Sequence, residues 1–184
     1  MTEISLNVLD IANNSIRANA NLIEIKIQIK RDLDTLKIII ADNGCGMTEE
    51  QIRQVEDPFF TTRTTRKVGL GVPFFKMAAL STGGSFQIKS NPGTGTTVTA
   101  EFGLSHIDRM PLGDMNSTML TLITLNPQID FLYTYDFDDK DFTLDTREFR
   151  KILGDIPLNS SEVAAYIKEY LAENQHETDG GCCI

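Results

Sequence analysis

Residues 38–47 read IIIADNGCGM. Three isoleucines run straight into an acid, an amide and two glycines separated by one residue. An apolar strand rarely ends on a lone carboxylate unless that group has something to hold, because burying an unpaired charge is costly. Upstream, LIEIKIQIK at residues 22–30 alternates strictly. Ile23, Ile25, Ile27 and Ile29 face one way and Glu24, Lys26 and Gln28 the other, which predicts a strand with one buried face. Asp32 to Thr35 turns the chain, and Leu36 to Ala41 returns as a second, more deeply buried strand. Asp42 then stands at the end of that strand, with bare backbone at Gly44 and Gly46 beside it.

Working outward, residues 4–18 place Ile4, Val8, Leu9, Ile11, Ala12 and Ile16 at helical spacing, an amphipathic first helix. Thr48 to Gln51 has the form of a capping box opening a short helix. Residues 57–71, DPFFTTRTTRKVGLG, carry no period and read as a loop. Pro73 suits a first helical turn, so VPFFKMAALS begins a helix directly after Gly71. GSFQIKS and TTVTAEF form a hairpin around NPGTG. The predicted class is α/β (α+β), a two-layer sandwich of a mixed sheet covered by helices, over residues 1–103. Residues 104–184 read as a separate accessory unit of order αββαα. Its first helix ends at Asn126-Pro127, IDFLYTYDF and DFTLD make a hairpin, and two helices enter at Asp145 and Asn159. Each of those has Glu three residues on, as in a capping box. HETDGGCCI reads as a frayed tail.

The 184 residues are 41% hydrophobic and 23% charged, an ordinary globular balance. A net charge of -9 argues against nucleic acid as a partner, since phosphate neutralisation needs clustered basic residues. The exception is one short stretch that crowds Arg63, Arg66 and Lys67 together. No basic flank precedes an apolar block at the amino terminus, and no apolar run approaches the roughly 20 residues a membrane helix needs. Three cysteines, two of them adjacent, make neither a disulfide framework nor a spaced zinc site. The expectation is a reduced, cytoplasmic protein.

Asp10 and Asn14 are four apart on the first helix, so their side chains stack on one face. Two polar groups at the edge of an apolar stripe are satisfied by a hard cation such as magnesium, which accepts an amide oxygen and keeps most of its waters. A neighbouring carboxylate can take a proton from one of those waters or from an attacking hydroxyl. Asp42 can accept a hydrogen bond from an amino group such as adenine N6, with room for a flat ring beside Gly44 and Gly46. Gly69, Leu70 and Gly71 precede a helix start, a cradle for phosphate oxygens through free N–H groups. Gly93-Thr94-Gly95-Thr96 turns tightly into a strand and offers a hydroxyl to the same pocket.

The ordered set LDIANNSIRANA, DNGCGM, DPFFTTR, GLGV and GTGTTV resembles the GHKL ATPase superfamily, and within it the histidine-kinase ATP-binding domain. Its asparagine, DxGxG, PFFTT and GxG boxes stand here in order over residues 3–103. The resemblance implies the Bergerat ATP-binding fold, with ATP and magnesium as cofactors. Asn14 would bind the metal and Asp42 the adenine amino group. Gly44, Gly46 and Thr96 would shape the adenine pocket, the threonine through water. Gly69, Leu70 and Gly71 would meet the phosphates, with Arg63 supplying charge from a lid over residues 57–68. Asp10 stands where many members have Glu as general base. The stand-alone arrangement is similar to anti-sigma-factor kinases. It implies a regulatory or substrate protein as partner, one that receives phosphate from this chain in trans or is regulated by it, and allows a homodimer. The alternatives are an ATP-driven switch with slow or no hydrolysis, and a histidine kinase that phosphorylates its own His106.

Blander readings stand beside these. Cys45 reads as small filler. DFDDKD at residues 136–141 lacks the glycine and distal glutamate of a calcium loop and reads as an acidic hairpin tip. SHIDRMPLG at residues 105–113 resembles a phosphoacceptor box, yet Ile107 stands where that box has an acid, and it follows the ATP-binding boxes rather than preceding them. A connector with His106 packing or capping is the simpler reading.

Overall fold

A computed structural model describes residues 3–57, 70–154, 156–182 and 184. Strands β1 (Leu22–Lys30) and β2 (Thr35–Asp42) form the antiparallel pair that the isoleucine alternation predicts, with Ile25 opposite Ile40 and Ile27 opposite Ile38. Leu36, Ile38 and Ile40 are buried while Lys37 and Ile39 are half-buried. β2 therefore has one buried face like β1, not the deeper burial that IIIA suggests. Helices cover the sheet on one face only, and the same alternation persists in the other central strands.

α1 (Ile4–Arg17) lays Ile4, Val8, Ile11 and Ala12 into the core. Its first-turn amides need partners outside the helix. They find them in a distant connector, where Ile4 and Ser5 donate to the carbonyls of Pro111 and Leu112 at 3.0 and 2.8 Å. α2 (Glu49–Glu56) opens with the expected box, Thr48 N donating to Gln51 Oε1 at 2.8 Å and Gln51 N to Thr48 Oγ1 at 3.3 Å. α3 (Gly71–Leu80) carries Pro73 in its first turn, and β3 (Ser85–Asn91) pairs with β4 (Gly95–Gly103) as a hairpin.

Beyond Gly103 come α4 (Met115–Leu125), β5 (Asp130–Phe137), β6 (Lys140–Asp145), α5 (Thr146–Leu153) and α6 (Ser161–Asp179). β5 pairs in parallel with β1, setting Tyr133 beside Ile25 and Tyr135 beside Ile27. The result is one six-stranded mixed sheet in the order β3-β4-β2-β1-β5-β6. The Phe142 ring lies 5.9 Å from both tyrosine rings and packs that edge of the core.

Two details at the carboxyl-terminal end differ from the sequence reading. α6 is capped by Ser160, whose Oγ accepts from Val163 N, and not by Asn159. The tail is anchored rather than frayed: α6 runs to Asp179, Gly180 closes it in the left-handed conformation, and Ile184 O accepts from Leu112 N at 3.0 Å. Asp179 is the reason. Its carboxylate accepts from Tyr135 Oη at 3.0 Å, Gln175 Nε2 at 3.1 Å and Gly181 N at 2.8 Å. Among the described residues no helix is long and apolar enough to cross a membrane.

Candidate functional site

The buried row of β2 runs Leu36, Ile38, Ile40 and then Asp42, so the carboxylate continues the core row at the end of the sheet. β4 runs antiparallel beside β2, and Thr96 stands opposite Asp42. Opposed residues leave the same face, which puts the hydroxyl next to the carboxylate. α1 passes over this end. Ser15 Oγ donates to Asp42 Oδ2 at 2.6 Å, and Gly44 N donates to Oδ1 at 2.9 Å. Each carboxylate oxygen has capacity for another donor.

That capacity faces a cleft of about 120 Å³, well above the roughly 10–15 Å³ that a single water requires. Its walls are apolar, with Ile11 from α1, Val55 from α2, Val72 from α3, Ile88 from β3 and Val98 from β4. Asn14, Ser15, Asp42 and Thr96 supply polar atoms, and Cys45, Gly46 and Met47 lie at its edge. An apolar slot with a few convergent polar groups is what a flat heterocycle requires.

Gly46 is fixed by two constraints at once. Its φ is +66°, and a side-chain carbon there would lie 1.9 Å from the carbonyl oxygen of Asn91. The loop after Asp42 can press against the β3–β4 turn only with glycine at this position. The hydroxyl of Ser90 holds the same junction. It accepts from Met47 N and donates to Gly95 O, both at 2.8 Å. A hydroxyl has one proton, and a carbonyl has none to give. The 2.8 Å contact between Ser90 Oγ and Thr96 Oγ1 must therefore use the proton of Thr96, which leaves Thr96 an acceptor toward the cleft.

Asp10 lies one helical turn before Asn14, and α3 begins beside it: a side-chain carbon on Gly71 would lie 2.9 Å from Asp10 Cβ. Leu70, the residue before the helix, makes no side-chain cap, so the first amides of α3 have no side-chain acceptor from that position. Neither Asp10 nor Asn14 forms a side-chain hydrogen bond or ion pair with another described residue. Exposed oxygen donors one turn apart suit a hard cation that also takes oxygens from a ligand. Arg63, Arg66, Lys67 and Gly69 fall outside the described residues.

Ser15 and Ser90 are the contributors that motif reading missed. Ser15 did leave a signal, since it extends the buried stripe Ile4, Val8, Ile11 by one turn with a hydroxyl where an aliphatic group belongs. His106 lies past the far end of β4, with Nδ1 accepting from Asp108 N at 3.1 Å.

The model of the histidine kinase-, DNA gyrase B- and HSP90-like ATPase family matches residues 2–106, more than half of the chain. The chain belongs to this family. It is 36% identical over 92 residues to the sensor protein kinase FleS of Pseudomonas aeruginosa, covering 50% of this chain and 23% of that kinase. It is 33% identical over 100 residues to the histidine-protein kinase AtoS of Escherichia coli, covering 54% of this chain and 16% of that one. The chain thus spans a quarter or less of these curated relatives. A crystal structure of the N-terminal domain of a DNA repair protein superposes with a TM-score of 0.54 at 18% identity, over 79% of this chain and 53% of that one. That likeness concerns fold alone. It reaches further than residues 2–106 could, so it takes in part of the chain beyond Gly103. Residues 2–106 are therefore an ATPase domain of this family, homologous to the ATPase domains of histidine kinases.

Proposed function

We propose that the chain binds magnesium–ATP in the cleft beside Asp42 and passes phosphate to, or regulates, a partner protein in trans in the cytoplasm. The observation that carries this reading is Asp42 itself, a carboxylate at the end of a core row, aimed by Ser15 and Gly44 and left with acceptor capacity facing an apolar slot. An exocyclic amino group fills that capacity. Thr96, acceptor-only toward the cleft, accepts a hydrogen bond from a bridging water. The bound nucleotide supplies the transferable phosphoryl group, and magnesium would be held by Asn14. The amides of Gly71 and Val72 at the start of α3 meet anionic oxygens, and Asp10 takes the proton of the incoming nucleophile. The work of such a site is mostly positioning and charge neutralisation.

Transfer in trans is preferred over self-phosphorylation because of where His106 sits. From Thr96 to Gly103 the strand runs roughly 20 Å at the usual rise, so His106 cannot reach its own cleft without unmaking β4. A single-turnover experiment with γ-labelled ATP decides. Label arriving on an added partner protein supports the reading. Label on the chain itself, lost in His106→Ala, replaces it with autophosphorylation, and tight retention of unhydrolysed ATP replaces it with a binding switch. A wild-type chain that binds no adenine nucleotide by calorimetry defeats all three.

A further inference from the structure

The net charge is not shared between the two halves of the sequence. Residues 104–184 hold 15 of the 26 acidic and 6 of the 17 basic residues, so the whole of the -9 lies there and residues 1–103 are neutral. A field of that sign repels nucleic acid and further copies of itself and draws in cationic proteins.

The same part of the molecule exposes joined apolar side chains. α5 has a two-sided sequence, TREFRKIL, yet Thr146 is the one residue it buries fully, and Phe149 and Leu153 are half-buried. Ile152 is 84% exposed, and Ile156, whose N–H donates to Leu153 O at 3.3 Å, is 51% exposed. Phe149, three residues before Ile152 and so its neighbour on the helix, joins this row to α6. Its ring lies 5.9 Å from Tyr166 and 5.5 Å from Tyr170, and Tyr166 is itself 56% exposed. Single apolar residues on a surface are ordinary, but a connected set on two adjacent elements marks a contact surface.

Charge says what covers it. Glu162, Glu169 and Glu173 stand four before, three after and seven after Tyr166, hence on its face of α6. All three are exposed, and none forms a hydrogen bond or ion pair with another described residue. Glu169 and Glu173 are also four apart, a like-charge spacing that weakens a helix. The bases of α5 do not answer them, because each is held by another acid. Arg147 pairs with Asp145, Arg150 with Asp130 and Lys151 with Glu148. A second copy would bring the same excess of acid. Both walls are helices with their backbone groups paired internally, so a strand has nothing to add to.

We infer that this face of α5 and α6 docks a basic amphipathic helix of a partner protein. The apolar stripe of that helix lies on Ile152, Ile156 and Tyr166, and its Lys and Arg side chains meet Glu162, Glu169 and Glu173. The surface lies outside residues 2–106, which the family model matches, and the contact does not depend on whether the cleft holds nucleotide.

The probe is a synthetic peptide of about 14 residues, with leucines at i, i+3, i+4 and i+7 and lysines elsewhere. It is titrated into the full chain without nucleotide while the Ile152 and Ile156 methyl groups are followed by NMR. Saturable shifts at both are expected, with a Kd on the order of 10 μM that weakens about fivefold between about 0.05 and 0.3 M salt. The same residues in an order that lacks helical amphipathicity, or glutamate in place of lysine, should bind at least about tenfold more weakly. Ile152→Ser, at a position already in water, should weaken the peptide about fivefold with Tm unchanged. Glu169→Lys relieves the repulsion with Glu173, so it should weaken the peptide about threefold while Tm holds or rises. Lack of saturable shifts, shifts centred on other elements, equal binding of either control peptide, or unchanged affinity in both variants overturns the inference. So does a concentration-dependent doubling of mass that Ile152→Ser abolishes, which would give the face to a second copy.

Discussion

Two carboxylates close the two halves of this molecule, and they are finished differently. Asp179, at the end of α6, receives three donors from the protein: the Tyr135 hydroxyl, the Gln175 amide and the Gly181 backbone. Asp42, at the end of β2, receives two, from Ser15 and Gly44, and then faces an apolar cleft. The first carboxylate is consumed by the fold and the second is left short. Burial pushes the Tyr135 hydroxyl well above its ordinary pKa, with Asp179 adding to the effect, so the tyrosine stays a donor and the contact persists at any ordinary pH. A carboxylate satisfied by its own chain stabilises, whereas one left with spare acceptor capacity beside a cavity is available to a donor from outside the chain. The hydroxyl of Tyr133 has no described partner, and we have no physical account of it.

The comparison breaks first at Asp42. Asp42→Asn changes one oxygen into a donor, which meets the donors of an amino group and of Ser15 or Gly44 head-on. Adenine-nucleotide affinity measured by calorimetry should fall by about a hundredfold or more, since a site built for one hydrogen-bonding pattern rejects its inverse strongly. Stability should change little because the position is only half-buried. An affinity within threefold of wild type would remove Asp42 from the site.

Asp179→Ala is the opposite case. Three donors lose their acceptor at once, two of them on side chains in the α6–β5 packing, and unfolding free energy should drop by about 2–3 kcal/mol in denaturant titration. Nucleotide affinity should hold, because the cleft residues come from α1, β2, β3 and β4, the loop after Asp42, the last turn of α2 and the first turn of α3. Loss of both together would mean that the two halves do not work separately.

How far these sites could be read from the chain follows from the range of the contacts involved. The alternation in residues 22–30 and the glycine-bounded acid at 42 are local, and they are enough to place the strands and the carboxylate at the end of β2. The pairing of Asp42 with Thr96 across β2 and β4 is a register, which the isoleucine pattern constrains only to every second residue. The parallel docking of β5 onto β1 joins residues more than one hundred positions apart, and nothing local announces it. It sets β5 and β6 in the same sheet as residues 3–103, although residues 104–184 read locally as a self-sufficient αββαα order. Likewise HETDGGCCI looks like a loose end until the Tyr135 hydroxyl, on a different element, is seen to occupy Asp179.

Ser15→Ala sharpens the comparison from the side of the aiming residues. Removing the 2.6 Å hydroxyl frees Asp42 Oδ2 to rotate and to take up water, so nucleotide affinity should fall about tenfold, near the value of one hydrogen bond to a charged group. A fall in Tm with unchanged affinity would instead make Ser15 a core residue only.

Ser90→Ala should have the smallest effect and the most specific one. Ser90 does not line the cleft; it orders Thr96 and Met47, which do. Without it the Thr96 proton has no fixed acceptor and the hydroxyl can turn to donate into the cleft. Affinity for ATP should fall about threefold to fivefold, while affinity for a 6-oxo purine nucleotide, which presents an acceptor at that edge, should fall less or rise. Ser90→Thr keeps the hydroxyl and should restore the wild-type ratio. A purely structural role predicts something else: both nucleotides weakened by the same factor, and a lowered Tm that Ser90→Thr does not separate from the change in selectivity. The ratio of the two affinities, not either one alone, therefore tells whether a residue outside the cleft sets the direction of a hydrogen bond inside it.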